Sequence, residues 1–118
     1  MSNPSILIVE DDRRQRDIFS LALQPTFEVE TCADGLDALS RLNAYIPNLV
    51  LLDLHVPSLS GHDLLYQIRA DKRLASTRVI IVSADIPAAN NIKEQADLVL
   101  HKPVSIRQLQ DLVHLAAA

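Results

Sequence analysis

Short apolar runs alternate along the chain with longer stretches in which apolar residues recur every third or fourth position. Residues 6–9 (ILIV), 49–52 (LVLL), 79–82 (VIIV) and 98–100 (LVL) contain no polar residue. Runs of that kind mark strands covered on both faces, the habit of parallel sheets. Residues 27–32 instead alternate Phe27, Val29 and Thr31 with Glu28 and Glu30, the pattern of a half-buried strand. Helices are predicted between them. The first covers 13–23, with Asp12 suited to its N-cap, Ile18, Leu21 and Ala22 on one face and Pro25 beyond its end. The second opens at the Asp34-Gly35 turn, repeats Leu36, Leu39 and Leu42, and stops before Pro47; the third follows Gly61 with Leu64, Leu65 and Ile68. Residues 85–95 are broken by Pro87 and poor in apolar side chains, so the fourth helix is expected to be brief or irregular. The last spans 105–118 and offers Ile106, Leu109, Leu112 and Val113 to the core. Strands alternating with helices in this way imply parallel pairing through right-handed crossovers, hence an α/β fold of three layers, doubly wound.

Composition narrows the class. A chain of 118 residues, 48% hydrophobic and 22% charged, has room for one core and predicts a single domain over 1–118. A formal charge of -4 and the absence of any Lys/Arg cluster interleaved with aromatics argue against direct nucleic-acid binding. Cys32 is the only cysteine, which excludes an internal disulfide, suits a reducing compartment and reads as a small buried hydrophobe. No apolar run approaches a bilayer span, and the opening MSNPS has no basic region followed by an apolar one. A cytoplasmic location is expected.

The chemistry sits at the strand ends. In a parallel sheet the residues closing each strand share one edge, and here that brings together Glu10, Asp11, Asp53, Ser83 and Lys102. Three carboxylates at close quarters repel, so a cation beyond Lys102 is needed if all are to stay ionised. Oxygen donors without histidine or cysteine at metal spacing favour a hard ion such as Mg2+, which takes carboxylates, waters and a phosphate. His62, His101 and His114 have no spacing that assembles a zinc site. A metal, a lysine and a hydroxyl around one carboxylate suit a phosphoryl group, with Asp53 as the candidate nucleophile.

VEDD at 9–12, LLDLHVPSLSG at 51–61, VSA at 82–84 and KP at 102–103 together resemble a response-regulator receiver domain over essentially the whole chain. The resemblance implies a flavodoxin-like fold of five parallel strands in the order 2-1-3-4-5, an order for which a member of this family serves as a standard example. It implies that Asp53 accepts a phosphoryl group from a histidine kinase or phosphotransfer domain. Glu10, Asp11, Asp53 and the backbone carbonyl of His55 would hold Mg2+, Lys102 would pair with one phosphoryl oxygen, and Ser83 would donate its hydroxyl to another. Pro57 and Gly61 match the loop after the phosphoacceptor, Ala84 the small residue beside the hydroxyl, and Pro103 the turn after the lysine. The side chains of His55 and Asp85 would lie beside the phosphoryl group, with Asp85 placed to position a hydrolytic water. Such a domain catalyses its own phosphorylation and dephosphorylation without being an independent turnover enzyme, and it acts through an output protein or domain.

Two departures stand out. The family usually carries an aromatic residue three positions before the lysine, where this chain has Val99, and the interval from Ser83 to Lys102 is short. The expectation is that output does not run through the face built by the fourth helix, fifth strand and fifth helix; the oligomeric state stays open. The same departures motivate an alternative, a phosphorylation-independent interaction module on the same fold. A phosphohydrolase would want a second acid two residues after its nucleophile, where His55 stands, and a nucleotide- or flavin-binding domain would want a glycine-rich first turn, whereas the chain has only Gly35 and Gly61.

Overall fold

The computed structural model describes residues 3–117. Strands β1 (Ser5–Val9), β2 (Glu28–Cys32), β3 (Leu49–Asp53), β4 (Arg78–Ser83) and β5 (Leu98–His101) alternate with helices α1 (Arg13–Leu23), α2 (Gly35–Ala44), α3 (Gly61–Ala70), α4 (Ile86–Ile92) and α5 (Ile106–Ala117). All neighbouring strands pair in parallel in the order β2-β1-β3-β4-β5, as expected for the flavodoxin-like fold. The registers Val9 with Leu52 and Ser83 with His101 bring the carboxyl ends of the strands level along one edge.

The period of two along each strand divides the core into two layers. Leu7, Val9, Val50, Leu52, Val79 and Ile81 point towards α2, α3 and α4, where they meet Leu42, Leu64, Ile68 and Ile92. Ile6, Ile8, Leu51, Ile80 and Val82 point the other way, against Phe19 and Leu23 of α1 and Leu109 and Val113 of α5. Both sheet faces are therefore covered, which is why four of the strands read as unbroken apolar runs.

Several helix faces differ from the expectation. On α1, Ile18 and Leu21 are exposed, and Phe19, Ala22 and Leu23 face the sheet. Ala22 faces the sheet as expected, but the buried stripe is turned by about one residue because it follows the large ring of Phe19. On α2, Leu36 is exposed while Gly35, Ala38 and Leu42 are buried, because small residues let this helix lie close to the sheet. On α5, Ile106 is exposed and the helix begins there, with Ser105 outside it accepting a hydrogen bond from the Gln108 amide at 3.0 Å. Ala118 lies outside the described residues. The fourth helix is brief, as expected, but Pro87 does not break it. Pro87 occupies the first turn, where its missing N–H costs nothing, and a 3-10 turn, Lys93–Gln95, follows the helix.

Beneath the sheet, on the edge opposite the strand ends that carry the carboxylates, Asp97 ties three segments together. Its Oδ2 accepts from the Val79 amide at 2.7 Å and from Arg69 Nη2 at 2.8 Å, while Arg69 Nε donates to the Gln95 carbonyl at 2.7 Å. This clamp fixes α3 and the short α4–β5 connection to the start of β4.

Candidate functional site: an acidic pocket bridged by lysine

Strands β1, β3 and β4 each deliver a polar residue at their carboxyl end to the same edge. Glu10 follows β1 and is buried, Asp53 closes β3 and is buried, and Ser83 closes β4 with no exposed surface. Carboxylate oxygens of Glu10, Asp11 and Asp53 lie within 4.8 Å of one another, with Asp11 on the solvent side. Lys102, just past β5, spans the pocket: its Nζ donates to Glu10 Oε1 and to Asp53 Oδ2, both at 2.8 Å. The strand ends predicted to converge do converge.

The backbone holds these groups in place. Asp12 caps α1 by accepting from the Gln15 amide at 3.1 Å, and the Asp12 amide donates to Glu10 Oε2 at 3.2 Å. The His55 amide donates to Asp53 Oδ1 at 3.0 Å, which sets the backbone of His55 against the central carboxylate. Ser83 Oγ accepts from the Asp85 amide at 3.0 Å, and the Lys102 amide donates to the Ser83 carbonyl at 2.9 Å. The Lys102–Pro103 peptide bond is cis.

Burial pushes the Glu10 carboxyl up to about 7, assisted by the neighbouring Asp53 charge and opposed by its bond to Lys102. Burial also works against the Lys102 ammonium, but its bonds to Asp53 and Glu10 outweigh that and raise its pKa. The pocket is short of positive charge: one ammonium serves three carboxyl groups.

At the rim, His55 Nε2 and Asp85 Oδ2 are 2.9 Å apart, joining the β3–α3 and β4–α4 loops. The Asp85 carboxylate is held below its usual range, first by the Ala88 amide it caps and then by His55. Arg16 was missed by sequence reasoning. Its Nη1 donates to the carbonyls of Glu10 at 2.9 Å and Asp11 at 3.3 Å, pinning the acidic turn from below. The available signal was an arginine in the opening of a helix, where the dipole disfavours a cation unless something else holds it. Cys32 is buried as expected. His114 bonds the Gln110 carbonyl and lies against Phe27, while His101 is exposed. Among the described residues, Glu10, Asp11 and Asp53 form the one group placed to hold a metal.

These features define a class: doubly wound domains with an acidic, lysine-bridged pocket at the carboxyl edge of a parallel sheet. Residues 6–114 match the response regulator receiver domain family, and the chain belongs to it, as a receiver domain of two-component signalling. It is 35% identical over 108 residues to the transcriptional regulatory protein CpxR homolog of Haemophilus influenzae, covering 88% of this chain and 46% of that protein. The chain spans about half the length of the curated relatives it matches. Among solved structures it is similar to the receiver domain of Francisella response regulator 1452, at 28% identity and a TM-score of 0.86 over 98% of this chain and 97% of that one. The receiver domain of a sensor histidine kinase from Pseudomonas aeruginosa shares the fold at 22% identity, with a TM-score of 0.90 over 98% of each chain; that protein has a magnesium ion coordinated in its active site cleft. Receiver domains partner with histidine kinases, and no described helix of this chain is long and apolar enough to cross a membrane.

Proposed function

We propose that this chain, as a single receiver domain over 1–118, takes a phosphoryl group onto Asp53 from a histidine kinase or phosphotransfer domain in the cytoplasm. The bridge from Lys102 to both Asp53 and Glu10 at 2.8 Å, beside the Asp11 carboxylate, is the observation that carries this reading. The donor set fits Mg2+: three carboxyl groups crowd one side of the pocket, all donors are oxygen, and the single Lys102 ammonium bridging Glu10 and Asp53 leaves the cluster short of positive charge. Glu10, Asp11, Asp53 and the His55 carbonyl would hold the ion, which supplies positive charge to the phosphoryl oxygens.

The protein groups divide the work. An Asp53 carboxylate oxygen forms the new O–P bond as the P–N bond to the donor imidazole breaks, and the freed imidazole keeps its electron pair and takes a proton from water. Lys102 exchanges its bond to Asp53 for one to a phosphoryl oxygen. Ser83 accepts from the Asp85 amide, so its own hydroxyl hydrogen remains available for another phosphoryl oxygen. The modification adds about 1.5–2 negative charges beside the β4–α4 loop, and drawing Ser83 inward changes the surface offered to an output protein or domain.

Intact mass spectrometry after incubation with Mg2+ and acetyl phosphate tests this. One added phosphoryl group is expected, absent from Asp53→Asn and absent in EDTA. A protein that gains no adduct and also fails to bind beryllofluoride overturns the reading in favour of the phosphorylation-independent module.

A further inference from the structure

Between Asp53 and α3 the chain does not loop free; it lies flush on the first turn of α2. The Gly35 amide donates to the Pro57 carbonyl at 3.0 Å, and the Leu36 amide donates to Ser58 Oγ at 3.1 Å. Ser58 Oγ in turn donates to Asp34 Oδ1 at 3.0 Å, and that same oxygen caps the helix by accepting from the Asp37 amide at 2.8 Å. Two of the first three amides of α2 are therefore satisfied by residues of the loop that follows Asp53. The fit leaves no space: a methyl group on Gly35 would fall 1.8 Å from the Leu59 carbonyl oxygen.

Ser58 is also the one non-glycine among the described residues with positive φ, at 69°. A left-handed serine is strained and persists only where its surroundings over-determine it. Here the hydroxyl's two bonds do so. Without them the loop loses its side-chain tie to α2 at residue 58, and Pro57 and the backbone of His55, whose amide is the group bonded to Asp53, are no longer held in one position.

We propose that Ser58 and Asp34 are positioning residues that hold the β3–α3 loop so that the His55 carbonyl faces the acidic pocket, thereby linking metal occupancy to the first turn of α2. This rests on the proposed Mg2+ set above. Linkage is reciprocal: a loop that α2 steadies for the metal is a loop that the metal steadies against α2. The first turn of α2, with Leu36 exposed on it, then registers the state of the pocket without the fifth strand or Val99 taking part.

The test uses Ser58→Gly, which accepts the left-handed backbone without the hydroxyl, and Ser58→Asn, which tolerates that backbone and returns a side-chain donor and acceptor. Mg2+ affinity is read by calorimetry, thermal midpoint in EDTA by circular dichroism, and exchange of the Leu36 amide with and without Mg2+ by NMR. Ser58→Gly is expected to weaken Mg2+ binding about fivefold with little change in the EDTA midpoint, because relief of strain offsets the lost bonds. Ser58→Asn restores the affinity. Mg2+ slows Leu36 exchange in the wild type and in Ser58→Asn but not in Ser58→Gly. Equal Mg2+ affinity in Ser58→Gly and wild type overturns the proposal alone, as does a loss that Ser58→Asn fails to restore; a wild type that takes up no Mg2+ overturns the metal reading beneath it.

Discussion

Replacing Glu10 by glutamine removes a charge that the pocket holds at a cost. Glu10 is 1% exposed, and its carboxyl is pushed from an ordinary 4.5 up to about 7, chiefly by burial. A carboxyl with a raised folded-state pKa binds its proton more tightly when folded than when unfolded, so its contribution to stability is full below the unfolded value. That contribution is lost as pH rises through the folded value. The difference between 4.5 and about 7, at about 1.4 kcal/mol per pH unit, gives roughly 3 kcal/mol lost by the metal-free protein between about pH 5 and pH 8. Against a domain stability of about 5–15 kcal/mol that is a large fraction. For a urea m-value of about 1–3 kcal/mol/M it moves the midpoint by about 1–3 M. Urea titrations in EDTA across that range are expected to show wild-type stability falling with pH and Glu10→Gln nearly flat. Mg2+ should restore the wild type at the alkaline end and do little for Glu10→Gln. Parallel curves for the two proteins in EDTA would refute the reasoning, because they would mean that the buried carboxyl titrates alike in the folded and unfolded chains.

Two further outcomes are expected. Burial is the main cause that raises the Cys32 thiol to about 12 from an ordinary 9.0, so the stability this group contributes is present below 9.0 and lost as pH rises through about 12. At mildly alkaline pH, iodoacetamide should label the folded protein far more slowly than the protein in urea; equal labelling rates would contradict a buried neutral thiol. Asp97→Ala leaves the Val79 amide without its acceptor and Arg69 without its carboxylate, and should cost about 2–3 kcal/mol by chemical denaturation. A loss under about 0.5 kcal/mol would show that the clamp is not held by this side chain.

The sheet and the convergence of side chains at its carboxyl edge were legible because both depend on local signals. An apolar run with no alternation, such as 79–82, has few settings other than a strand covered on both faces, and a polar residue closing it must lie at the sheet edge. Asp53, Glu10, Asp11, Ser83 and Lys102 were found in that way. Helix faces were less legible. Periodicity places Ile18, Leu21 and Ala22 on a stripe, but the neighbouring stripe of Phe19, Ala22 and Leu23 is equally periodic, and the choice between them is made by the sheet that α1 packs on. The same applies to Leu36 and Ile106. Arg16 and the contact of Ser58 with Asp34 join residues through carbonyls and hydroxyls across loops, and no spacing rule encodes such a bond. Pro87 shows the reverse error: a residue read as a breaker starts the helix because its position within the first turn, not its identity alone, decides its effect.

The bond from Lys102 to Glu10 joins residues 92 positions apart. During synthesis, β1 with its acids is made before β3 with Asp53, and the ammonium that bridges them emerges only after β5. A chain stalled or cut before residue 102 carries all three carboxyl groups but lacks the charge that spans them. The bridge across the pocket thus closes only once residue 102 has been made and β5 has docked.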